Sequence, residues 1–186
     1  MADVRVGTGF DAHAFADGVP LVLGGVSIPA ERGLAGHSDG DVIAHALIDA
    51  LLGAAGLDDI GAMFPSSDPQ WKGASSLDLL ARAYERIRKL GFSLVNADVV
   101  LIGEQPRLAT YRLQMRAALA SALGVNEQQL AVRATTTDGL GVFLTHPAFQ
   151  ELPALLEVPG RGHGPDAEQV AKLRKLHART LRKSRA

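Results

Sequence analysis

Asp11 and His13 stand two residues apart in the run Gly7-Thr8-Gly9-Phe10-Asp11-Ala12-His13. In extended backbone, residues i and i+2 point to the same side, so a carboxylate and an imidazole can converge on one ion. A third ligand must come from elsewhere, and His45 is the best candidate. It is expected on a helix that follows a Gly-rich loop, with Asp41 and Asp49 at i−4 and i+4 on the same face. Either carboxylate could accept the second N–H of the imidazole and fix its tautomer. An Asp-His-His set that leaves a position open is a catalytic zinc pattern rather than a closed structural one. On spacing alone, an Asp-x-His pair is common, and a helical His is more often solvated or internally satisfied.

Two further segments carry residues suited to phosphate chemistry. Gly36-His37-Ser38-Asp39-Gly40-Asp41 sets His37 beside a helix N-terminus, where backbone N–H groups can bind an anion. The plainer reading of the same residues is an ordinary capped helix start. Thr135-Thr136-Thr137-Asp138-Gly139 ends an apolar strand with three hydroxyls and a carboxylate, which suit a phosphate held with Mg²⁺. Its plainer reading is a β-branched strand end followed by a turn. Arg107 and Arg133 could add positive charge, although each is more often a surface cation.

These residues need elements to position them. Val4–Gly9 alternates and reads as a strand running into Asp11 and His13. Leu21–Ile28 reads as a second strand, broken at Gly24-Gly25 by a bulge or a close backbone approach. Gly33–Ser38 reads as a loop. Ser38 or Asp39 can cap a first helix from about 40 to 56, stopped by Gly56. Residues 58–69 are turn-rich. Ser75 or Ser76 can cap a second helix, whose stripe Leu79, Leu80, Ala83, Ile87, Leu90 ends at Gly91. Leu94–Gly103 reads as a strand, Arg107–Leu123 as a third helix closed by Gly124, and Leu130–Thr137 as a strand. Strands alternating with helices argue for an α/β layered domain.

Composition bounds the function. A chain of 186 residues, 47% hydrophobic, can build one real core. No apolar run is long enough to span a bilayer, and the N-terminus has no basic region followed by an apolar run, so neither a membrane span nor a secretory signal is expected. The absence of cysteine excludes disulfides and thiolate metal sites. It fits a cytoplasmic protein. The net charge of −1 hides an asymmetry: seven Lys/Arg and one acid fall in 167–186, leaving 12 basic and 19 acidic residues in 1–166. An acidic body argues against nucleic acid as the ligand.

Taken together, GTGFDAHAF (7–15), GGVSIP (24–29), GLAGHSDGDVIAHALIDALLGAAGLDDIGAMFP (33–65), SDPQWKG (67–73) and RATTTDGLG (133–141) resemble the 2-C-methyl-D-erythritol 2,4-cyclodiphosphate synthase family. The resemblance runs over about residues 4–141 and is specific as a set. It implies a two-layer α+β (α/β) sandwich of ferredoxin-like, cyclodiphosphate-synthase type, with a mixed four-stranded sheet and helices on one face. It implies a homotrimer with active sites between subunits. The implied reaction cyclises a CDP-linked methylerythritol 2-phosphate and releases CMP. By the same resemblance, Asp11, His13 and His45 match the zinc ligands, and His37 and Thr136 match two positions that stabilise the transition state. Asp11, His13, His37 and Ser38 match substrate contacts. So do Asp59, Ile60 and Gly61, the diol-binding segment, and the adjoining Phe64, Pro65, Ser66, Ser67 and Asp68. Gly103, Glu104, Gln105, Pro106, Arg107, Leu108 and Ala109 match a cytidine-binding loop. Thr135, Thr136, Thr137 and Asp138 match a phosphate and second-metal segment supplied by the adjacent subunit, with Mg²⁺ or Mn²⁺ accompanying the diphosphate.

The chain also departs from that family pattern. Asp138 stands where Glu is usual, and Ser66 where Asp is common. After Gly141 the expected Gly-Arg-x-Glu-Gly run is replaced by VFLTHPAFQELPALLEVPGRGHG. The expected organisation is a catalytic domain over 1–158, with 142–158 an atypical last segment, then a linker and basic tail over 159–186. Two accounts fit the change: an altered reading frame, or a rebuilt ending in which Leu152–Val158 forms the last strand. A catalytically impaired relative is the alternative function. A basic-tailed binding module with incidental metal-like residues is a further one.

Overall fold

The computed structural model describes residues 4–136. They fall in one unit, Met1–Thr135, apart from Thr136. The expectations for Thr137, Asp138, the last strand, the boundary at 158/159 and the basic tail lie outside the described residues.

Two short hairpin-like pairs open the fold. β1 (Phe15–Asp17) pairs antiparallel with β4 (Arg32–Leu34), and β2 (Leu21–Leu23) pairs antiparallel with β3 (Val26–Ile28). The run expected as one broken strand is therefore a hairpin. Gly24 and Gly25 have φ of 55° and 75°, as a two-residue turn of type I′ requires. Part of the expected 33–38 loop is the strand β4. Val4–Gly9, expected as a strand, carries no strand pairing among the described residues. It lies against a helix instead.

That helix is α1 (Val42–Ala55). Its N-cap is Asp41, not Ser38 or Asp39, and Gly56 closes it in the left-handed conformation. Asp41 is fully buried and does two jobs. Its Oδ1 accepts from Ile43 N–H and Ala44 N–H, and from Gly24 N–H at 2.8 Å, while Oδ2 accepts from Gly25 N–H at 2.6 Å. One carboxylate thus caps the helix and ties it to the β2–β3 turn. Burial pushes its pKa up, and the backbone N–H groups oppose that rise.

A short helix, α2 (Ile60–Met63), and a 3₁₀ turn, Pro69–Trp71, lead into α3 (Ser76–Lys89). Asp78 in the first turn of α3 and Arg86, Arg88 and Lys89 in the last complement the helix dipole. Leu79, Leu80, Ala83 and Ile87 are buried as the stripe predicts, but the helix ends at Lys89 and Leu90 is 52% exposed. α4 spans Arg112–Leu123, so the residues from 107 to 111 form a loop rather than a first helical turn.

β5 (Ala97–Ile102) and β6 (Leu130–Thr135) form a parallel pair, with Ile102 opposite Thr135. Ala97, Val99 and Leu101 face the core built by α1, α3 and α4, while Asp98, Val100 and Ile102 face outward. The helices therefore lie on one face, as expected. The described residues show this parallel pair, not the full mixed four-stranded sheet.

Candidate metal centre

Asp11 and His13 reach α1 because two glycines let the chain come close. A Cβ on Gly7 would lie 1.9 Å from the Ala50 carbonyl oxygen, and one on Gly9 would lie 1.9 Å from that of Ala46. No other residue permits this approach without displacing backbone. Val4, Val6 and Phe10 lie outside this contact and are exposed. Beyond Phe10 the chain presents Asp11 beside His45, the fourth residue of α1.

The three expected ligands converge. Asp11 Oδ2 lies 2.9 Å from His13 Nε2 and 2.9 Å from His45 Nδ1. One ligand atom from each residue fits within 4.8 Å of the others. The two rings sit 5.3 Å apart at 48°. Partial burial raises the Asp11 pKa, but the His45 hydrogen bond and the charges of both histidines outweigh it, so the carboxyl is held below its usual range.

The far nitrogens test whether this set suits a metal. His13 Nδ1 faces the Ala35 carbonyl, which can only accept, so that nitrogen carries a proton, and Nε2 is the nitrogen turned toward Asp11. His45 Nε2 lies 2.9 Å from Ser76 Oγ and 3.0 Å from Ser38 Oγ. Its Nδ1 is left facing the same point. Each imidazole is thus held from outside at its far nitrogen and turns its near nitrogen to Asp11, the orientation that a bound zinc would need. The donor set fits a divalent transition metal.

The structure corrects the expected support for His45. Neither Asp41 nor Asp49 receives its N–H. Asp41 caps α1, and Asp49 accepts from Ile60 N–H at 2.8 Å. The partners are Ser76 and Ser38. Ser76 was missed as a partner because it is remote in sequence, on α3, and no local spacing signals the contact.

The other expected residues fall in two groups. The His37–Asp39 loop is strapped to the segment before α3: Gly73 N–H donates to His37 O at 2.8 Å, and Asp39 N–H to Ala74 O at 3.1 Å. His37 itself is exposed. Asp59 caps α2 and borders a small cleft with Leu52, Met63 and Arg86; no triad residue lines that cleft. Ile60 and Gly61 follow it at the start of α2. Phe64 is buried with its ring 5.0 Å from that of Trp71, while Pro65, Ser66 and Ser67 are exposed. Asp68 caps the 3₁₀ turn by accepting from Gln70 N–H at 3.0 Å.

The 103–109 segment and the Thr-rich segment begin side by side at the C-terminal ends of β5 and β6. Gly103 N–H donates to Thr135 O at 3.0 Å, and Leu108 is buried as an anchor while Arg107 and Ala109 are exposed. Carboxyl ends of parallel strands are where open α/β sheets bind ligands. Arg133 pairs with Asp98 on the outward face of the sheet.

Comparison with known proteins agrees with this geometry. The YgbB family model matches residues 4–151, ten residues beyond the last motif at Gly141. The 2-C-methyl-D-erythritol 2,4-cyclodiphosphate synthase of Moorella thermoacetica is 48% identical over 170 residues, which cover 91% of this chain and 94% of the relative. That of Cronobacter sakazakii is 47% identical over 175 residues, covering 94% and 100%. A solved 2C-methyl-D-erythritol-2,4-cyclodiphosphate synthase with bound CDP superposes with a TM-score of 0.69 at 38% identity, over 74% of this chain and 91% of that one. The bifunctional IspDF of Campylobacter jejuni gives a TM-score of 0.72 at 44% identity, over 75% of this chain and 38% of that larger one. Matched by the family model across the whole described body, and sharing nearly half its residues with curated synthases over almost its full length, the chain belongs to the YgbB family of 2-C-methyl-D-erythritol 2,4-cyclodiphosphate synthases.

Proposed function

We propose that this chain is a lyase of non-mevalonate isoprenoid precursor synthesis. It converts 4-diphosphocytidyl-2-C-methyl-D-erythritol 2-phosphate to 2-C-methyl-D-erythritol 2,4-cyclodiphosphate and CMP. The observation that carries this reading is the convergence of Asp11, His13 and His45, with both far nitrogens held, in a chain of this family.

In the reaction, an oxygen of the 2-phosphate attacks the phosphorus nearer the erythritol. A P–O bond forms, the P–O bond to CMP breaks, and CMP carries away the electron pair. The nucleophile is already anionic, so no general base is needed, and the protein contributes positioning and charge neutralisation. Zn²⁺ at the triad, with Mg²⁺ or Mn²⁺ on the diphosphate, would supply Lewis-acid polarisation of phosphoryl oxygens. Asp11, His13 and His45 hold the first ion, and Asp138 would serve the second. His37 and Thr136 direct donors at the phosphoryl oxygens. Ser38 contacts phosphate. Asp59, Ile60 and Gly61 take the diol, with residues 64–68 beside it. Gly103–Ala109 receives the cytidine, and Thr135–Asp138 holds phosphate from a neighbouring subunit.

A homotrimer is part of the proposal. The outward face of β5 exposes Val100 (42%) and Ile102 (59%), and the N-terminal segment exposes Val6 (87%) and Phe10 (82%). Large apolar residues exposed on both segments favour burial against further copies of the chain. A cytoplasmic setting also belongs to this reading; no helix among the described residues is long and apolar enough to cross a membrane. Incubating the trimeric protein with substrate, Zn²⁺ and Mg²⁺, and following both products by phosphorus NMR, tests the assignment. Equal amounts of cyclodiphosphate and CMP are expected. CMP accompanied only by open-chain phosphates would refute cyclisation.

A further inference from the structure

We infer that Ser76 and Asp39 form a two-link relay that fixes His45 as an Nδ1 metal ligand, making both of them positioning residues. The inference rests on the metal reading of the triad. Its geometry is a chain of hydrogen bonds from α1 to the start of α3. His45 Nε2 lies 2.9 Å from Ser76 Oγ. Ser76 Oγ in turn contacts Asp39 Oδ1, and Ser76 N–H donates to Asp39 Oδ2 at 3.0 Å.

The direction of that chain is dictated by its last member. A carboxylate can only accept, so the Ser76 hydroxyl proton is committed to Asp39. The Ser76 oxygen then has only lone pairs to offer His45, and Nε2 must be the protonated nitrogen. Nδ1, which shares a proton with Asp11 Oδ2 at 2.9 Å in the metal-free chain, is then the nitrogen whose lone pair an ion would take in place of that proton. Asp39 thus sets the tautomer of a residue it does not touch. Outer partners of this kind both orient the imidazole and raise its basicity as a ligand.

Ser38 also reaches His45 Nε2, at 3.0 Å, and lies 3.3 Å from Ser76 Oγ. The two serines differ in how they are held. Ser76 is fully buried in the first turn of α3, with its backbone tied to Asp39, whereas Ser38 is half-buried in a loop proposed to contact phosphate. Ser76 is the permanent acceptor, whereas Ser38, whose hydroxyl also accepts from Gly40 N–H at 3.4 Å, is held by its own loop. Because Asp39 N–H is also bonded to Ala74 O, the relay links metal-ligand geometry to the loop that carries His37.

The test is zinc affinity of the metal-stripped full-length chain, read against a competing chelator, together with the visible spectrum of the Co²⁺ form. Wild-type protein should bind one ion per chain, and His45→Ala should lose it. Ser76→Ala and Asp39→Asn should each bind zinc about 10- to 100-fold more weakly. Their Co²⁺ bands at saturation should shift, which a loss of packing alone would not cause. Ser38→Ala should change affinity by less than about 3-fold. If Ser76→Ala folds poorly, Asp39→Asn decides the matter. Wild-type binding with unchanged affinity and spectrum in both relay variants overturns the relay and leaves the metal site standing. No binding by wild type, or undiminished binding by His45→Ala, overturns the metal reading and the relay with it.

Discussion

Gly9→Ala should break the metal centre without touching a ligand. The added Cβ would sit 1.9 Å from the Ala46 carbonyl oxygen and 2.6 Å from Ala50 N, both backbone atoms of α1. Ordinary contact begins near 3.4 Å, so the N-terminal segment must retreat by about 1.5 Å or the helix must give way. Metal–ligand distances tolerate only about 0.2 Å of error. Asp11, two residues on, cannot follow such a shift and keep its contacts with His45. Zinc affinity should fall by at least about 100-fold, the upper end of what losing an outer contact costs. Overpacking should also lower stability by about 1–3 kcal/mol. Chelator competition and urea denaturation measure the two effects. Gly53→Ala is the control: it lies inside α1 with open space around its Cβ, and should stabilise the protein by up to about 1 kcal/mol with zinc affinity unchanged. If Gly9→Ala binds zinc like wild type at undiminished stability, close approach to α1 is not what places Asp11.

Other consequences follow from the same structure. Leu80, fully buried on α3, should cost about 2–5 kcal/mol as Leu80→Ala in urea unfolding, with zinc affinity per folded chain unchanged. The Asp11 carboxyl is depressed in the folded state, so its stabilising contribution is present above the unfolded value of about 4 and lost as pH falls through the folded one. Metal-free wild type should therefore lose stability more steeply than Asp11→Asn below about pH 4 in acid unfolding; parallel curves would contradict this. His37→Ala should lower turnover by about 10²- to 10³-fold if His37 donates to a phosphoryl oxygen, with zinc affinity within about 3-fold of wild type. Equal turnover would remove His37 from the chemistry.

The convergence of Asp11, His13 and His45 was legible in the sequence because its geometry is local. Asp11-x-His13 needs only extended backbone, and His45 needs only a helix start nearby. The glycines at 7 and 9 read as part of a strand, yet their role is to let that segment lie on α1. The Ser76–Asp39 support was not legible, since it depends on the packing of α3 against α1. Asp41 was misread because a carboxylate four residues before a helical His looks like its partner. In the fold it is the N-cap, and its oxygens are used by four backbone N–H groups. The start of α4 was misplaced for a different reason. Tyr111 makes no side-chain cap, so no residue type marks the boundary. The β2–β3 run read as one strand broken at Gly24-Gly25, not as a hairpin, because apolar residues flank both sides of the glycines.

On the proposed reading, Asp11, His13 and His45 hold a divalent ion that the cyclisation requires. Titrating zinc into the metal-stripped protein, with Mg²⁺ and the diphosphocytidyl substrate present, and reading CMP release tests this requirement. Negligible release is expected without zinc, then a rise that saturates at one zinc per chain, and none from His45→Ala at the same zinc concentration. Full CMP release from stripped protein, or from His45→Ala, would contradict it.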